Sequence, residues 1–318
     1  MPDASPNPPY RLDADSRGVF VISATPFHPD GSLDLASLDR ALDFYLHAGV
    51  HGITLLGMMG EAHKLTSDEG ETIVRRGLAR VGGRVPVVVG VSGGSLPAMK
   101  SLAHLAMDAG AAGAMVAPPY GLRTDDAIVG YMRAVAHALG PEVPLVFQDY
   151  PPTTGVYVSP ACLRRVIDEV HTVAMYKGED VPGLDKISNT RAAERAGGRR
   201  VSVVCGNGGL LLPQALARGA DGIMTGFSYP EMLVQVYEAH VRGEPDAGED
   251  LYDAYLPLVS YENQPGFGLA VRKEILRRRG AIASAAVRAP GPVLSRADLG
   301  EIDRLIARIE RRSASTTR

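Results

Sequence analysis

The sequence predicts an α/β fold, a (β/α)8 TIM barrel with a helical extension at its carboxyl end. Three observations carry this. From Gly18 onward, short β-branched apolar runs alternate with stretches of helical apolar spacing, with no break in composition. Eight such units fit the roughly 250 residues of that barrel. No Gly-x-Gly-x-x-Gly turn follows the first run, which weighs against a doubly wound sheet.

In order, Gly18 to Thr25 is the first strand, ended by Pro26, and Leu35 to Ala48 is a helix stopped by Gly49. Ile53 to Leu56 is a second strand, opening into Gly57-Met58-Met59-Gly60-Glu61. A helix follows from Ser67, a suitable N-cap with Glu69 and Glu71 behind it. Val85 to Val91, Ala114 to Ala117 and Pro144 to Gln148 are strands three to five, separated by helices over Leu96 to Ala109 and Asp125 to Leu139. Ser159 to Glu169 is helical, and Val173 to Lys177 is the sixth strand. Val201 to Cys205 and Gly222 to Thr225 complete the set, each followed by a helical segment. Residues 18–246 are therefore assigned to the barrel and 247–312 to the extension, as helices over Leu251 to Tyr261, Leu269 to Arg279 and Arg296 to Ile309. Residues 1–17, Pro-rich and polar, are expected to be a disordered tail, and 313–318 a short polar one.

Composition narrows the function classes. A formal net charge of -3 gives no support to nucleic-acid or anionic-membrane binding. Cys162 and Cys205 cannot build a disulfide framework or a Cys-x-x-Cys metal site. His47, His51 and His63 match no metal-ligand spacing, so neither a metal nor another cofactor is expected. Without a transmembrane run or a hydrophobic signal core, the default is a cytoplasmic protein.

The chemistry concentrates on Val173-Ala174-Met175-Tyr176-Lys177-Gly178-Glu179. Strand alternation puts Val173, Met175 and Lys177 on one face. If that face lines the barrel, Lys177 stands at the carboxyl-terminal mouth, where barrel active sites lie. An amine in partly apolar surroundings gives up its charge more readily, and a neutral amine can form a Schiff base with a carbonyl. The bland alternative is a solvated lysine at a strand end. Other elements at strand ends are the glycine-flanked turn Gly57–Glu61, Tyr120 behind two prolines, and Cys205-Gly206-Asn207-Gly208-Gly209. The two turns can present N–H groups to a small anion or simply turn tightly, and Tyr120 can relay a proton or merely pack.

Together these elements resemble the dihydrodipicolinate synthase / N-acetylneuraminate lyase family of class I aldolases, over roughly Gly18 to Arg312. The resemblance rests on Thr25-Pro26-Phe27 with Asp30-Gly31, Gly57-x-x-Gly-Glu61, Ala117-Pro-Pro-Tyr120, Pro151-x-x-Thr-Gly155, Lys177-Gly-Glu179 and Gly206-Asn207. It implies a lyase, commonly a homotetramer of two tight dimers, with pyruvate and an aldehyde as substrates and no cofactor. Lys177 matches the lysine that forms the imine with pyruvate, and Tyr120 the tyrosine that reaches into a neighbouring subunit's site.

The departures are as informative. Met58 and Met59 stand where the family usually has two threonines, leaving only backbone donors in that turn for a carboxylate. Gln148 occupies the position of the synthases' tyrosine, and an amide is neither acid nor base near neutral pH. Thr153 replaces the arginine that holds the aldehyde's carboxylate in the synthases. A lysine-biosynthetic synthase is therefore not the expectation. Tyr150, two residues past Gln148, supplies a phenol if the strand runs on, although Pro151 and Pro152 favour an outward turn. Glu179 and Asp180 are further acid/base candidates, or else part of a solvated loop. The paired methionines, with Met224 near the pocket floor, suggest an apolar acceptor. The expected binding set is thus Gly57, Met58, Met59, Gln148, Thr153, Gly206 and Met224, around Lys177, Tyr120 and Tyr150 as catalytic groups. Alternatives to the pyruvate-dependent aldolase are a dehydratase or decarboxylase using the same imine, and a silent barrel that binds a keto acid.

Overall fold

The computed structural model describes residues 10–316, with side chains to residue 312. Each strand is a few residues long and almost wholly buried, as expected for a parallel sheet covered on both faces. Strands β1 (Gly18–Ile22), β2 (Gly52–Leu55), β3 (Val87–Gly90), β4 (Gly113–Val116), β5 (Leu145–Asp149), β6 (Val173–Gly178), β7 (Ser202–Cys205) and β8 (Gly222–Thr225) run parallel and close in chain order. Closure removes any exposed sheet edge. The interior is packed in layers. Phe20 is in register with Gly52 and with Met224. A Cβ on Gly52 would lie 2.2 Å from the Phe20 ring, so the glycine makes room for the aromatic.

Outside the strands lie α1 (Leu35–His47), α2 (Ser67–Val81), α3 (Leu96–Asp108), α4 (Asp125–Leu139), α5 (Pro151–Thr154), α6 (Pro160–Glu169), α7 (Leu184–Arg195), α8 (Leu212–Ala217) and α9 (Pro230–Val241). Their starts follow side-chain chemistry: Asp34, Ser95, Thr124 and Ser159 each accept a backbone N–H in the first turn. The cap of α2 is Thr66, one residue before the expected Ser67. Its hydroxyl accepts the Glu69 N–H while the Glu69 carboxylate accepts the Thr66 N–H.

Helices α10 (Pro245–Glu262), α11 (Gly268–Arg278) and α12 (Arg296–Thr316) form the extension. It is pinned to the mouth of the barrel by charge. The buried carboxylate of Glu61 takes bonds from Lys273 on α11, from Lys64, and from the Arg288 N–H. Arg288 also bridges Glu69 and the carbonyls of Gly31 and Lys64, strapping residues 281–292 across one side of the opening.

Two expectations are corrected. Of the tail drawn over residues 1–17, residues 1–9 lie outside the described residues, but residues 10–17 pack on the barrel. Leu12 is buried, its N–H donates to Ala112 O at 2.9 Å, and Arg11 donates to Glu142, because this segment covers the amino-terminal end of the sheet. At the other terminus α12 continues through Thr316, past the boundary drawn at residue 312.

Candidate active site

Lys177 is the penultimate residue of β6 and only 1% exposed, its Nζ 2.9 Å from Glu179 Oε2. Glu179 follows the last residue of β6 and its N–H bonds Asp149 O at 2.9 Å, so the chain stays extended for one residue more and the amine and carboxylate share a face. Gln148 at the end of β5 is in register with Lys177, and its Nε2 donates to the same Oε2 at 2.7 Å. Asn207 closes the arrangement from the loop after β7, donating Nδ2 to Glu179 O at 3.0 Å and its backbone N–H to Oε1 at 3.4 Å. Glu179 is therefore buried and oriented by three residues, not part of a solvated loop. Asp180 turns away and pairs with Lys186, itself bound to Asp149 behind the strands.

This group opens onto a cavity of about 340 Å³ at the carboxyl-terminal mouth of the barrel. Among the residues singled out in the sequence, Met58, Met59, Gln148, Tyr150, Thr153 and Lys177 line it. Tyr150 lies inside because Pro151 and Pro152 begin the single turn of α5 and do not deflect the chain outward. The N–H groups of Thr153 and Thr154 bond back to Tyr150 O at 3.2 and 3.1 Å. Burial raises the Tyr150 phenol's pKa, the charge of Glu179 adds to this, and that of Arg272 opposes it. All three side chains line the same cavity.

Gly57, Gly206, Met224 and Tyr120 do not line this cavity. A Cβ on Gly57 would lie 2.7 Å from Ile22 Cγ2, and one on Gly206 would lie 2.3 Å from Glu179 Oε1. These glycines leave space for neighbours; the second leaves it for the carboxylate beside the lysine. Met224 is fully buried in the Phe20 layer beneath the cavity, and Thr225 takes the lining position. Tyr120 is 81% exposed and rests against Gly155. Cys205 adjoins the site, but burial pushes its thiol up to about 12, which rules it out as a thiolate nucleophile near neutrality.

The methionine turn is held from below by Thr25, whose hydroxyl donates to Gly60 O at 2.7 Å. Sequence reasoning missed the opposite wall. Asn263, Gln264 and Pro265 from the α10–α11 connection, Arg272 from α11, and the strap from Val287 to Pro292 all face the cavity. The run Asn263-Gln264-Pro265-Gly266 between two helices is a turn signal that could have marked this connection as a loop. Nothing local shows that the extension folds back over the mouth. No group of three or more His, Cys, Asp or Glu among the described residues is placed to hold a metal ion, and no described helix is long and apolar enough to cross a membrane.

Comparison with known proteins identifies the family. The model of the dihydrodipicolinate synthetase family matches residues 15–308. L-2-keto-3-deoxyarabonate dehydratase of Azospirillum brasilense is 34% identical over 296 residues, 91% of this chain and 94% of the relative. The crystal structure of dihydrodipicolinate synthase from Rhodopseudomonas palustris superposes with a TM-score of 0.92 at 45% identity, covering 94% of this chain and 99% of that one. YagE, a prophage protein of E. coli K12 solved in complex with pyruvate, superposes with a TM-score of 0.83 at 25% identity, covering 92% and 98%. The chain belongs to the dihydrodipicolinate synthetase family and is an enzyme of its class I aldolase/lyase type.

Proposed function

We propose that this enzyme works through an imine between Lys177 and a 2-keto acid, pyruvate in the aldolase direction. The observation that carries the reading is the buried amine of Lys177 on the cavity wall, 2.9 Å from a carboxylate held by Gln148 and Asn207. Glu179 can take the proton that the ammonium must lose before attack. The amine adds to the ketone carbon and passes its second proton to the oxygen. The carbinolamine hydroxyl then takes the proton held by Glu179 and leaves as water, which restores the carboxylate. The protonated imine then draws electrons from C3 as a proton leaves for Glu179. The resulting enamine attacks an aldehyde carbon, whose oxygen takes a proton from the Tyr150 phenol. Hydrolysis of the product imine releases the keto acid and returns Lys177 as its ammonium, and the proton left on Glu179 passes to the Tyr150 phenolate. Backbone N–H groups of the Met58–Met59 turn are assigned to the keto acid's carboxylate.

The exposed ring of Tyr120, outside its own cavity, supports the reading in which it serves a neighbouring subunit of a homotetramer. We place this enzyme in the cytoplasm, in keeping with its small-molecule substrates.

A second reading keeps the imine and changes the outcome. A 2-keto-3-deoxy acid carries a hydroxyl at C4. If Glu179 removes the C3 proton and then returns it to that hydroxyl as it departs, the enzyme is a dehydratase. The closeness of Glu179 to the amine, the amide in place of a phenol on β5, and the relative named as a dehydratase favour this reading. Nuclear magnetic resonance in D2O tests both. Pyruvate methyl protons should exchange with solvent in the presence of the enzyme. Product analysis with aldehydes, then with 2-keto-3-deoxy acids, assigns the outcome. Absence of exchange or turnover with every keto acid tried would leave the silent keto-acid-binding barrel.

A further inference from the structure

Arg272 lies in the cavity wall opposite the chemistry, and its bonding is incomplete. Nε donates to Glu262 Oε2 at 2.8 Å, and Nη2 reaches the Glu262 carbonyl at 3.3 Å. Among the described residues Nη1 donates only to the sulfur of Met59, a weak acceptor. A buried guanidinium N–H without an oxygen partner is costly, and a ligand oxygen offered there relieves that cost. The site has room for one. On the scale of about 30 Å³ per water in the liquid, pyruvate fills only about half of the 340 Å³ cavity. Arg272, Tyr150 and Lys177 all line this one cavity, so a ligand held on Lys177 shares it with the spare N–H.

The local charge narrows the ligand. Glu262 is fully buried and already paired with Arg272, so the guanidinium brings no net positive charge to the wall. Lys64 also lines the cavity, but its amine is taken up by Glu61 and Arg288 O, and Asn263 and Gln264 in the α10–α11 connection are neutral amides. Such a surface suits neutral oxygen acceptors better than a carboxylate. We propose that Arg272 is a specificity-determining residue that receives a hydroxyl on the tail of the substrate, with Met58 and Met59 covering the carbon chain. The enzyme then acts on hydroxylated keto acids, or on the hydroxylated aldehydes from which they form. This rests on the imine reading above.

The test needs only imine formation, so it does not depend on whether the next step is aldol or elimination. Half-saturating concentrations for borohydride-trapped adduct formation on Lys177 are measured by mass spectrometry at early times. The probes are 2-ketopentanoate, 2-keto-4,5-dihydroxypentanoate and 2-ketoglutarate. The dihydroxy acid should saturate at a concentration lower by about tenfold or more than the unsubstituted one, the scale of one hydrogen bond to a charged group. The carboxylated probe should gain no such advantage. In Arg272→Lys the preference for hydroxyls should shrink toward one. The double variant Arg272→Met with Glu262→Leu removes both buried charges, a replacement that proteins often tolerate, and should show the same loss. Equal half-saturation for the hydroxylated and unsubstituted acids in the unaltered enzyme overturns the assignment. So does a preference that survives in both variants, or a best fit for 2-ketoglutarate. Failure of every probe to form an adduct contradicts the imine itself, a different result.

Discussion

Lys177 and Lys273 are both almost wholly inaccessible, and each faces a glutamate. Their surroundings otherwise differ. Lys273 bonds Glu61 and Ala286 O, and lies 4.5 Å from the centre of the Phe27 ring, so its donors are spent on the protein. Burial lowers its pKa, and the charge of Glu61 opposes that shift. It clamps the extension to the turn after β2. Lys177 meets Glu179 and then the cavity. A buried Lys–Glu pair is therefore no sign of catalysis by itself; access and unspent bonding capacity make the difference.

Five predictions break or sharpen this comparison. The largest effect is expected for Lys177→Ala, which should lower turnover by a thousandfold or more, on the order seen when a covalent nucleophile is removed. Lys273→Ala should act on stability, costing about 1.5–3 kcal/mol in denaturant unfolding because buried Glu61 loses one of its two cations and keeps Lys64. Molecules of Lys273→Ala that remain folded should still form the adduct on Lys177.

Next, Glu179→Gln should lower turnover by about 10²–10⁴-fold, the range for loss of a general acid/base, with far-ultraviolet dichroism unchanged. Gln148→Leu should have a smaller effect, about tenfold, because it removes one donor that orients Glu179 and leaves the carboxylate in place.

The mildest prediction concerns the strap. Hydrogen bonds from Arg288 hold Glu69 at about 2, below its ordinary 4.5. The unfolded chain therefore binds more protons than the folded one between those values, so this contribution is present above pH 4.5 and lost as pH falls toward 2. Glu69→Gln should flatten the dependence of unfolding free energy on pH within that window.

The sequence makes the barrel legible because each strand is a short apolar run that closes against neighbours of the same kind. Lys177 is legible because strand alternation and the carboxyl-end rule place it without knowledge of contacts. Tyr150 is harder, since a Pro-Pro pair signals a turn outward and the structure uses it to start a helical turn inward. Gly206 illustrates the limit of motif reading. It resembles an anion-binding turn, yet its missing side chain leaves space for Glu179. Arg272 is illegible locally, because nothing in its helix shows that α11 returns over the mouth some 210 residues after Met59, or that the arginine's last N–H meets only sulfur.

Borohydride reduction of the enzyme with pyruvate, followed by peptide mass spectrometry of the unaltered protein and Lys177→Ala, tests the central claim most directly. A reduced pyruvyl adduct on Lys177, absent from Lys273 and lost in the variant, is the predicted result. An adduct on another lysine, or one that persists in Lys177→Ala, would contradict it.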